Sequence, residues 1–336
     1  MGKSFVACQL IVILLLSACS GRKGTAIEGK FKNISEAECY IFSQQSGQAR
    51  FDTVRLHKGR FRYEVDVPDT TVLTLQYPNF MQLHIVVPPG KTQKIEGDAA
   101  DLRTTRVRGC EDNELLTDLR LRMLDKGAGE REQMVEEFIR NYPAALASQV
   151  VFERYMLMAE EVDYDACRHL LRRMVEAAPD RMSLRLLNAR VSPRLNTAPG
   201  KKMPRFEYFT TDSVAVTGST FEGSPYIVWF WSTWRPEMSS PVRDSRDLYR
   251  SREGRLRQLN ICLDTDTAEF RRQLRKDPLP DLNVCDRRGW DTPLVQDLGI
   301  QALPVAVLVD KDGCIVARDL DKDALQTEVE KLLPKT

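Results

Sequence analysis

The first third of the chain alternates apolar and polar residues with a period of two. Residues 61–67 (FRYEVDV) alternate strictly, which is typical of a strand with one buried face. The tetrapeptide His57-Lys58-Gly59-Arg60 separates residues 61–67 from residues 52–56 and predicts a hairpin turn. The pattern continues in residues 72–77 and 83–87. Roughly six to eight strands at this spacing predict an antiparallel β-sandwich or small barrel over residues 26–109.

After Gly109 the apolar residues recur at helical spacing. Five segments show it: residues 113–125, 129–141, 145–159, 163–177 and 180–190. In the fourth, one apolar stripe is made by Cys167, Leu170, Leu171, Met174 and Val175. Residues 110–195 are therefore predicted to form a helical bridge without a chemical motif. Residues 196–204 (NTAPGKKMP) have the composition of a linker.

Beyond the linker, residues 205–336 alternate between strand and helix patterns. The predicted strands are 226–232, 258–264, 282–286, 305–310 and 314–319, and the predicted helices are 241–252, 267–276, 292–299 and 322–334. This alternation predicts a mostly parallel sheet to which a final antiparallel hairpin is added. Trp229 and Trp231 are expected to point to opposite faces of the first strand. The predicted fold class is multidomain, with an N-terminal antiparallel β-sandwich, a helical bridge and a C-terminal α/β domain.

The N-terminus has the features of an export signal. Lys3 precedes an apolar run, residues 10–16, that is too short to span a bilayer. The run ends in Leu16-Ser17-Ala18-Cys19, which resembles the bacterial lipobox. The resemblance implies a signal peptide over residues 1–18, a lipid on Cys19 and a tether over residues 19–25. An ordinary signal peptide with a chance cysteine is the alternative.

Charge and the residues after Cys19 bear on location and partners. The 336 residues include 49 Lys plus Arg and 48 Asp plus Glu, a net charge of +1 that does not point to nucleic acid. A lipid on Cys19 implies an anchored cell-envelope protein that faces the periplasm and has the membrane as a partner. Ser20 and Gly21 contain no acidic retention signal of the type known in some Gram-negative bacteria, which mildly favours the outer membrane.

Six cysteines remain once the signal and Cys19 are set aside. They are Cys39, Cys110, Cys167, Cys262, Cys285 and Cys314, and no two form C-x-x-C. Cys262, Cys285 and Cys314 are each expected to be a small buried hydrophobe. A structural bridge between Cys262 and Cys285, or one between Cys39 and Cys110, stays open because spacing alone does not give the Cβ geometry. The histidines form no ligand cluster with the cysteines, so neither a metal nor another cofactor is expected.

Short motifs run in order through the last domain. They are Pro204-Arg205-Phe206, Thr211-Asp212-Ser213, residues 228–234 (VWFWSTW), Leu248-Tyr249, residues 259–264 (LNICLD), residues 299–304 (GIQALP) and residues 307–313 (VLVDKDG). Together they resemble the thioredoxin superfamily, specifically envelope proteins of the TlpA/ResA and alkyl hydroperoxide reductase/thiol-specific antioxidant type, over roughly residues 200–336. The resemblance implies a thioredoxin-like fold with a cis bond between Leu303 and Pro304.

The chemistry of that superfamily requires two cysteines directly after the tryptophan. One lies at a helix N-terminus that stabilises its thiolate, and the other, one turn later, resolves the mixed disulfide. In this sequence the two positions are Arg235 and Met238, and neither side chain can form a thiolate. Leu248-Tyr249 lies at the usual distance downstream, which argues against a local gap. The resemblance therefore implies a degenerate site without a catalytic residue.

The N-terminal domain carries a looser resemblance. Gly29, Asp52-Thr53-Val54 and Gly59-Arg60-Phe61 resemble a small domain of unknown function that often precedes thioredoxin-like domains in bacterial envelope lipoproteins. It covers about residues 26–109 and implies no catalytic residue.

These observations favour a non-enzymatic binding or scaffold role, in which a groove receives an extended peptide or a partner protein. The predicted groove residues are Trp234, Arg235, Pro236, Glu237, Leu303 and Pro304. The Arg235 guanidinium is suited to a carboxylate or phosphate, but Glu237 is near enough to neutralise it. The rival hypothesis is a thiol–disulfide oxidoreductase or peroxide reductase that uses a displaced cysteine such as Cys262 or Cys285. A structural spacer is a third hypothesis.

Overall fold

The structure is a computed structural model, which describes residues 24–43, 51–159, 161–234, 242, 245–252 and 254–334. The predicted signal peptide, Cys19 and residues 235–238, which include Arg235, Pro236, Glu237 and Met238, lie outside the described residues. The chain divides into two compact units. One comprises Met1–Met134 and Ala145–Val150, and the other comprises Val135–Ala144 and Val151–Thr336. Among the described helices, none is long and apolar enough to cross a membrane.

The first unit is a β-sandwich, as predicted. Its strands are β1 (Thr25–Lys32), β2 (Ala37–Phe42), β3 (Phe51–Leu56), β4 (Arg60–Val65), β5 (Thr71–Gln76), β6 (Gln82–Val87), β7 (Thr92–Asp98) and β8 (Arg106–Arg108). They form two four-stranded sheets in the orders β4-β1-β7-β8 and β3-β2-β5-β6. The alternating positions of both sheets face one core, where Ile27, Ile41 and Leu75 are at most 1% exposed. The pair β1–β7 is parallel, in contrast to the antiparallel pairing predicted throughout.

The predicted turn at His57-Lys58-Gly59-Arg60 carries the chain from one sheet to the other. His57 and Arg60 exchange backbone hydrogen bonds of 2.8 and 3.0 Å, and Lys58 and Gly59 both have positive φ, at 51° and 70°. Two central residues with positive φ define the hairpin turn whose twist matches that of the flanking strands. The turn prediction is confirmed.

The middle of the chain is helical, and its helices are divided between the two units. They are α1 (Glu111–Arg122), α2 (Ala128–Asn141), α3 (Leu146–Val151) with a π-helical turn at Phe152–Met156, α4 (Tyr164–Ala177) and α5 (Met182–Asn196). Four of the five residues of the predicted apolar stripe of α4 are buried, namely Cys167, Leu170, Leu171 and Met174. The predicted end of the last helix at residue 190 is wrong. Helix α5 continues through Pro193, whose carbonyl oxygen accepts hydrogen bonds from the Thr197 amide and hydroxyl at 3.2 and 2.7 Å.

The second unit contains a five-stranded sheet in the order β13-β12-β11-β14-β15. Its strands are β11 (Tyr226–Trp231), β12 (Arg257–Cys262), β13 (Leu282–Val284), β14 (Val305–Val309) and β15 (Ile315–Leu320), preceded by a hairpin of β9 (Glu207–Phe209) and β10 (Ala215–Thr217). The helices are α6 (245–250), α7 (Thr267–Lys276), α8 (Pro293–Leu298) and α9 (Lys322–Leu332). Strands β11 to β13 are parallel, and β14 and β15 are antiparallel. The predicted α/β sheet with an antiparallel hairpin is confirmed.

The central strand β11 is buried on both faces. Val228 and Phe230 face one core, whereas Ile227, Trp229 and Trp231 face the other. The expectation that the two tryptophans point to opposite faces is wrong, because residues two apart in a strand lie on the same face. Both indoles are fully buried, so they contribute to packing.

Candidate functional site

The carboxyl end of β11 lies at the edge of the five-stranded sheet where the loops after its strands meet. Trp231 lies opposite Cys262 at the end of β12, and Phe230 lies opposite Val305 at the start of β14. Since β14 runs antiparallel to β11, Pro304 is located where β11 ends. Open α/β sheets bind ligands outside the carboxyl ends of their strands. The register thus brings Pro304 and the segment after β11 to the same edge.

The peptide bond between Leu303 and Pro304 is cis, which confirms the prediction. Both residues are half-buried, and Leu303 packs against the core beneath the sheet. The side chain of Leu303 therefore fixes this part of the edge from below. A partner that reaches the edge can contact the exposed part of Pro304.

Asp264 anchors the segment that follows β11. The Thr233 amide donates to Asp264 Oδ1 at 3.0 Å, and the Thr233 hydroxyl donates to Oδ2 at 2.5 Å. Asp264 is 3% exposed, and hydrogen bonds to a carboxylate are among the stronger ones in proteins. Sequence reasoning included Asp264 in a motif but missed this role, for which the acidic residue directly after a buried strand was the signal. The carboxylate sets the position from which Trp234 follows.

Two tryptophans are exposed after strands of this sheet. Trp234 follows β11 and is 53% exposed, and Trp290 follows β13 and is 40% exposed. Indoles combine a large apolar surface with an N–H donor, and they are enriched among the residues that dominate protein interfaces. Of the six predicted groove residues, the structure describes Trp234, Leu303 and Pro304.

Cys262 and Cys285 lie side by side at the same edge. The pairing of β12 with β13 ends at Ile261 and Val284, so the cysteines are the next residues of the two strands. Both side chains pack in the same hydrophobic core, and Cys285 Sγ donates to the Asp264 carbonyl oxygen at 3.2 Å. Cys262 is fully buried and Cys285 is half-buried. The two cysteines considered for a structural bridge are adjacent free thiols.

The other described cysteines are also free thiols. Cys39 belongs to the core of the sandwich, whereas Cys110 packs against a separate small cluster that includes Val72 and Val86. The bridge between Cys39 and Cys110 is therefore not formed in this structure. Burial raises the pKa of Cys39 to about 11 and that of Cys167 to about 12, so both thiols stay protonated at neutral pH.

The environment separates the acidities of Cys262 and Cys285. Burial raises the pKa of the Cys262 thiol, and its hydrogen bond to Cys285 raises that pKa further. The same hydrogen bond lowers the pKa of Cys285, because it stabilises the thiolate that accepts it. Burial opposes this effect at Cys285 but is the smaller influence. Cys285 is thus the more acidic thiol of the pair.

A pH profile of alkylation tests this assignment. The thiolate is the reactive form, so a lowered pKa should make the alkylation rate of Cys285 by iodoacetamide rise at a lower pH than for an ordinary thiol. Replacing Cys262 by Ala removes the hydrogen-bond donor and should move the midpoint to higher pH. The rate at Cys285 is measured by mass spectrometry of its peptide, with Cys314→Ala as the control that leaves the profile in place. An unchanged midpoint in Cys262→Ala would refute the assignment.

Comparisons with known proteins give two family matches. Residues 25–116 match a domain of unknown function, DUF4369, and residues 198–333 match the Redoxin family. No curated protein matches the chain. Across the described residues, no group of three or more His, Cys, Asp or Glu side chains is arranged to bind a metal ion.

Solved structures of thioredoxin-like proteins are also similar. The C-terminal domain of a putative thiol-disulfide oxidoreductase from Bacteroides thetaiotaomicron is 24% identical, with 42% of this chain and 99% of that chain covered and a TM-score of 0.39. A thiol-disulfide oxidoreductase from Bacteroides fragilis is 26% identical, with coverages of 40% and 100% and a TM-score of 0.37. A thioredoxin-like protein from Bacteroides caccae is 15% identical, with coverages of 59% and 77% and a TM-score of 0.47.

Proposed function

We propose that this protein binds an extended segment of a partner and exchanges no disulfides at the superfamily's usual position. The chain joins a DUF4369 domain to a thioredoxin-like Redoxin domain. The sequence at that position carries the proposal. Arg235 and Met238 stand where the thioredoxin superfamily has its two cysteines. Neither side chain can attack a disulfide or resolve a mixed one.

The edge around that position supports binding. Trp234 offers an indole that is 53% exposed, and the bond between Leu303 and Pro304 is cis. Asp264 anchors Thr233, so the backbone that leads to Trp234 is fixed before a partner arrives. A pre-ordered aromatic residue reduces the entropy lost on binding. An extended segment that lies over Pro304 and Trp234 is the occupant that this edge suits.

The proposal places the protein on a membrane of the cell envelope, through a lipid on Cys19. The residues 16–19 (LSAC) support this, together with the short apolar run before them. The domains would then face the periplasm, and the outer membrane is the favoured location. Incorporation of a labelled fatty acid that Cys19→Ser fails to abolish would argue against this anchor.

Binding at Trp234 is tested with an unfolded protein as the probe. Reduced and carboxymethylated ribonuclease A lacks tryptophan, so emission in the titration comes from this protein. We expect the emission to shift to shorter wavelength as Trp234 is covered. Because Trp234→Ala lacks the reporting indole, the affinities of the two proteins are compared by titration calorimetry, in which the variant should bind about tenfold or more weakly. Leu186→Ala is the matched control, because Leu186 lies on α5 and is 59% exposed. Equal affinity of the Trp234→Ala and unaltered proteins would contradict the proposal.

One observation favours the rival function, a thiol–disulfide oxidoreductase or peroxide reductase. Cys262 and Cys285 are adjacent thiols at the same edge, and Cys285 is partly exposed. The rival requires catalytic turnover by the unaltered protein, whereas the binding role does not. An assay of turnover therefore separates the two functions.

A further inference from the structure

We infer that Cys262 and Cys285 form a reversible disulfide through exchange with a low-molecular-weight disulfide that reaches Cys285. The inference goes beyond the proposed binding role and does not rest on it. It assigns a redox site to a part of the sheet that differs from the superfamily's usual position at residues 235 and 238.

The strand pairing provides the geometry of the bond. Cys262 and Cys285 directly follow Ile261 and Val284, which are partners in the parallel pair β12–β13. Neighbouring strands are about 4.8 Å apart, which lies within the Cα separation of roughly 4.4–6.8 Å that disulfides span. Both side chains pack in the same hydrophobic core. A bond between the sulfurs therefore requires little movement of the backbone.

Cys262 and Cys285 differ in solvent exposure. Disulfide exchange with an external molecule requires such a difference between the attacking and the resolving cysteine. Cys262 is fully buried, so an external disulfide cannot reach it. Cys285 is half-buried and leads into the loop that carries the exposed Trp290. The hydrogen bond from Cys262 also favours the thiolate of Cys285. Cys285 is thus the attacking sulfur and Cys262 the resolving one.

The exchange takes two steps. The Cys285 thiolate attacks one sulfur of the small disulfide, which forms a mixed disulfide and releases one thiolate. The Cys262 thiol gives its proton to that thiolate or to solvent and attacks Cys285 Sγ, which releases the second small thiol. The small disulfide is reduced to two thiols, and the two protein thiols are oxidised to one disulfide.

Oxidation changes a contact of Asp264. The thiol of Cys285 donates a hydrogen bond to the Asp264 carbonyl oxygen, and a disulfide has no S–H to donate. Asp264 is also the residue whose carboxylate binds Thr233. Cys285 therefore directly contacts the residue that anchors the segment leading to Trp234.

Glutathione disulfide is the probe for this site. The mature protein, residues 20–336, is incubated with the probe, unfolded and titrated for thiols, and its proteolytic peptides are analysed by mass spectrometry. We expect the loss of two of its six thiols, a peptide that links Cys262 to Cys285, and full reversal by dithiothreitol. Failure of the unaltered protein to form this link in excess probe would overturn the inference.

Single substitutions identify the attacking sulfur. Cys262→Ser, or Cys262→Ala if the serine disturbs folding, should trap one glutathione on Cys285. Cys285→Ser should give neither the link nor an adduct on Cys262, whereas Cys314→Ser should behave as the unaltered protein. An adduct on Cys262 in Cys285→Ser would refute the assignment of roles. Neither result depends on peptide binding at Trp234, so failure of the binding role leaves this test intact.

Discussion

Replacing Arg318 by Ala should lower the free energy of unfolding of the thioredoxin-like domain by about 3–5 kcal/mol. The Arg318 side chain has no exposed surface. Its guanidinium donates to the carbonyl oxygens of Arg194, Thr197 and Leu298 at 3.0, 3.1 and 2.6 Å. These carbonyls lie at the C-terminal ends of α5 and α8, where helices leave acceptors without a partner. The alanine removes the guanidinium from all three acceptors and opens a cavity. The Thr197 hydroxyl remains only as a long donor to the Arg194 and Leu298 carbonyl oxygens, at 3.4 and 3.5 Å.

Tryptophan fluorescence during urea unfolding measures this loss. All four tryptophans of the chain, Trp229, Trp231, Trp234 and Trp290, belong to the thioredoxin-like domain, so the signal reports that domain alone. Arg318→Lys is the matched control and should lose an intermediate amount, because it keeps the charge but not the planar fork of donors. A change below about 0.5 kcal/mol in Arg318→Ala, the range of neutral surface substitutions, would contradict the role given to this residue.

Replacing Gly59 by Ala should destabilise the DUF4369 domain by about 2–4 kcal/mol. Gly59 has a φ of 70°, which is unfavourable for any residue with a Cβ. A Cβ at this position would lie 2.4 Å from the Phe31 carbonyl oxygen and 2.8 Å from that of Ile34. The turn cannot move away, since the Gly59 amide donates to the Ser35 carbonyl and the Gly59 carbonyl accepts from the Phe31 amide, at 2.8 and 2.7 Å.

Calorimetry of Gly59→Ala and of Gly313→Ala separates the steric cost from the backbone cost. Gly313 has a similar φ of 76°, but a Cβ there would meet no atom within 4 Å. Gly313→Ala should therefore lose only about 1–2 kcal/mol, from the thioredoxin-like domain. If the two variants lost equal amounts, the close approach at Gly59 would have no energetic consequence.

The elements that follow from local patterns could be predicted from the sequence. Alternation with a period of two located the strands of the sandwich, and the tetrapeptide at residues 57–60 located its turn. The resemblance of the ordered motifs to the thioredoxin superfamily implied the thioredoxin-like domain and the cis bond before Pro304. The helical pattern over residues 180–190 stops short of the end of α5, which continues through Pro193 to Asn196. The faces predicted for Trp229 and Trp231 are wrong, because residues two apart in a strand lie on the same face.

The site required long-range pairing that no local pattern contains. The sequence left open whether Cys262 and Cys285 were neighbours, and only the register of β12 with β13 places them side by side. The anchoring of Thr233 by Asp264 joins residues 31 positions apart. The acidity of Cys285 depends in turn on a donor from another strand. These features follow from the fold and not from composition or periodicity.

An assay of insulin reduction tests whether this protein binds a partner without catalysing disulfide exchange. Residues 20–336 are assayed with insulin and dithiothreitol beside the double variant Arg235→Cys/Met238→Cys, with Cys285→Ser in parallel. We expect that the unaltered protein does not increase the rate of insulin reduction above that of dithiothreitol alone. The double variant should gain catalytic turnover. Turnover by the unaltered protein that Cys285→Ser abolishes would contradict the proposed binding role. It would establish a thiol–disulfide oxidoreductase that uses Cys285.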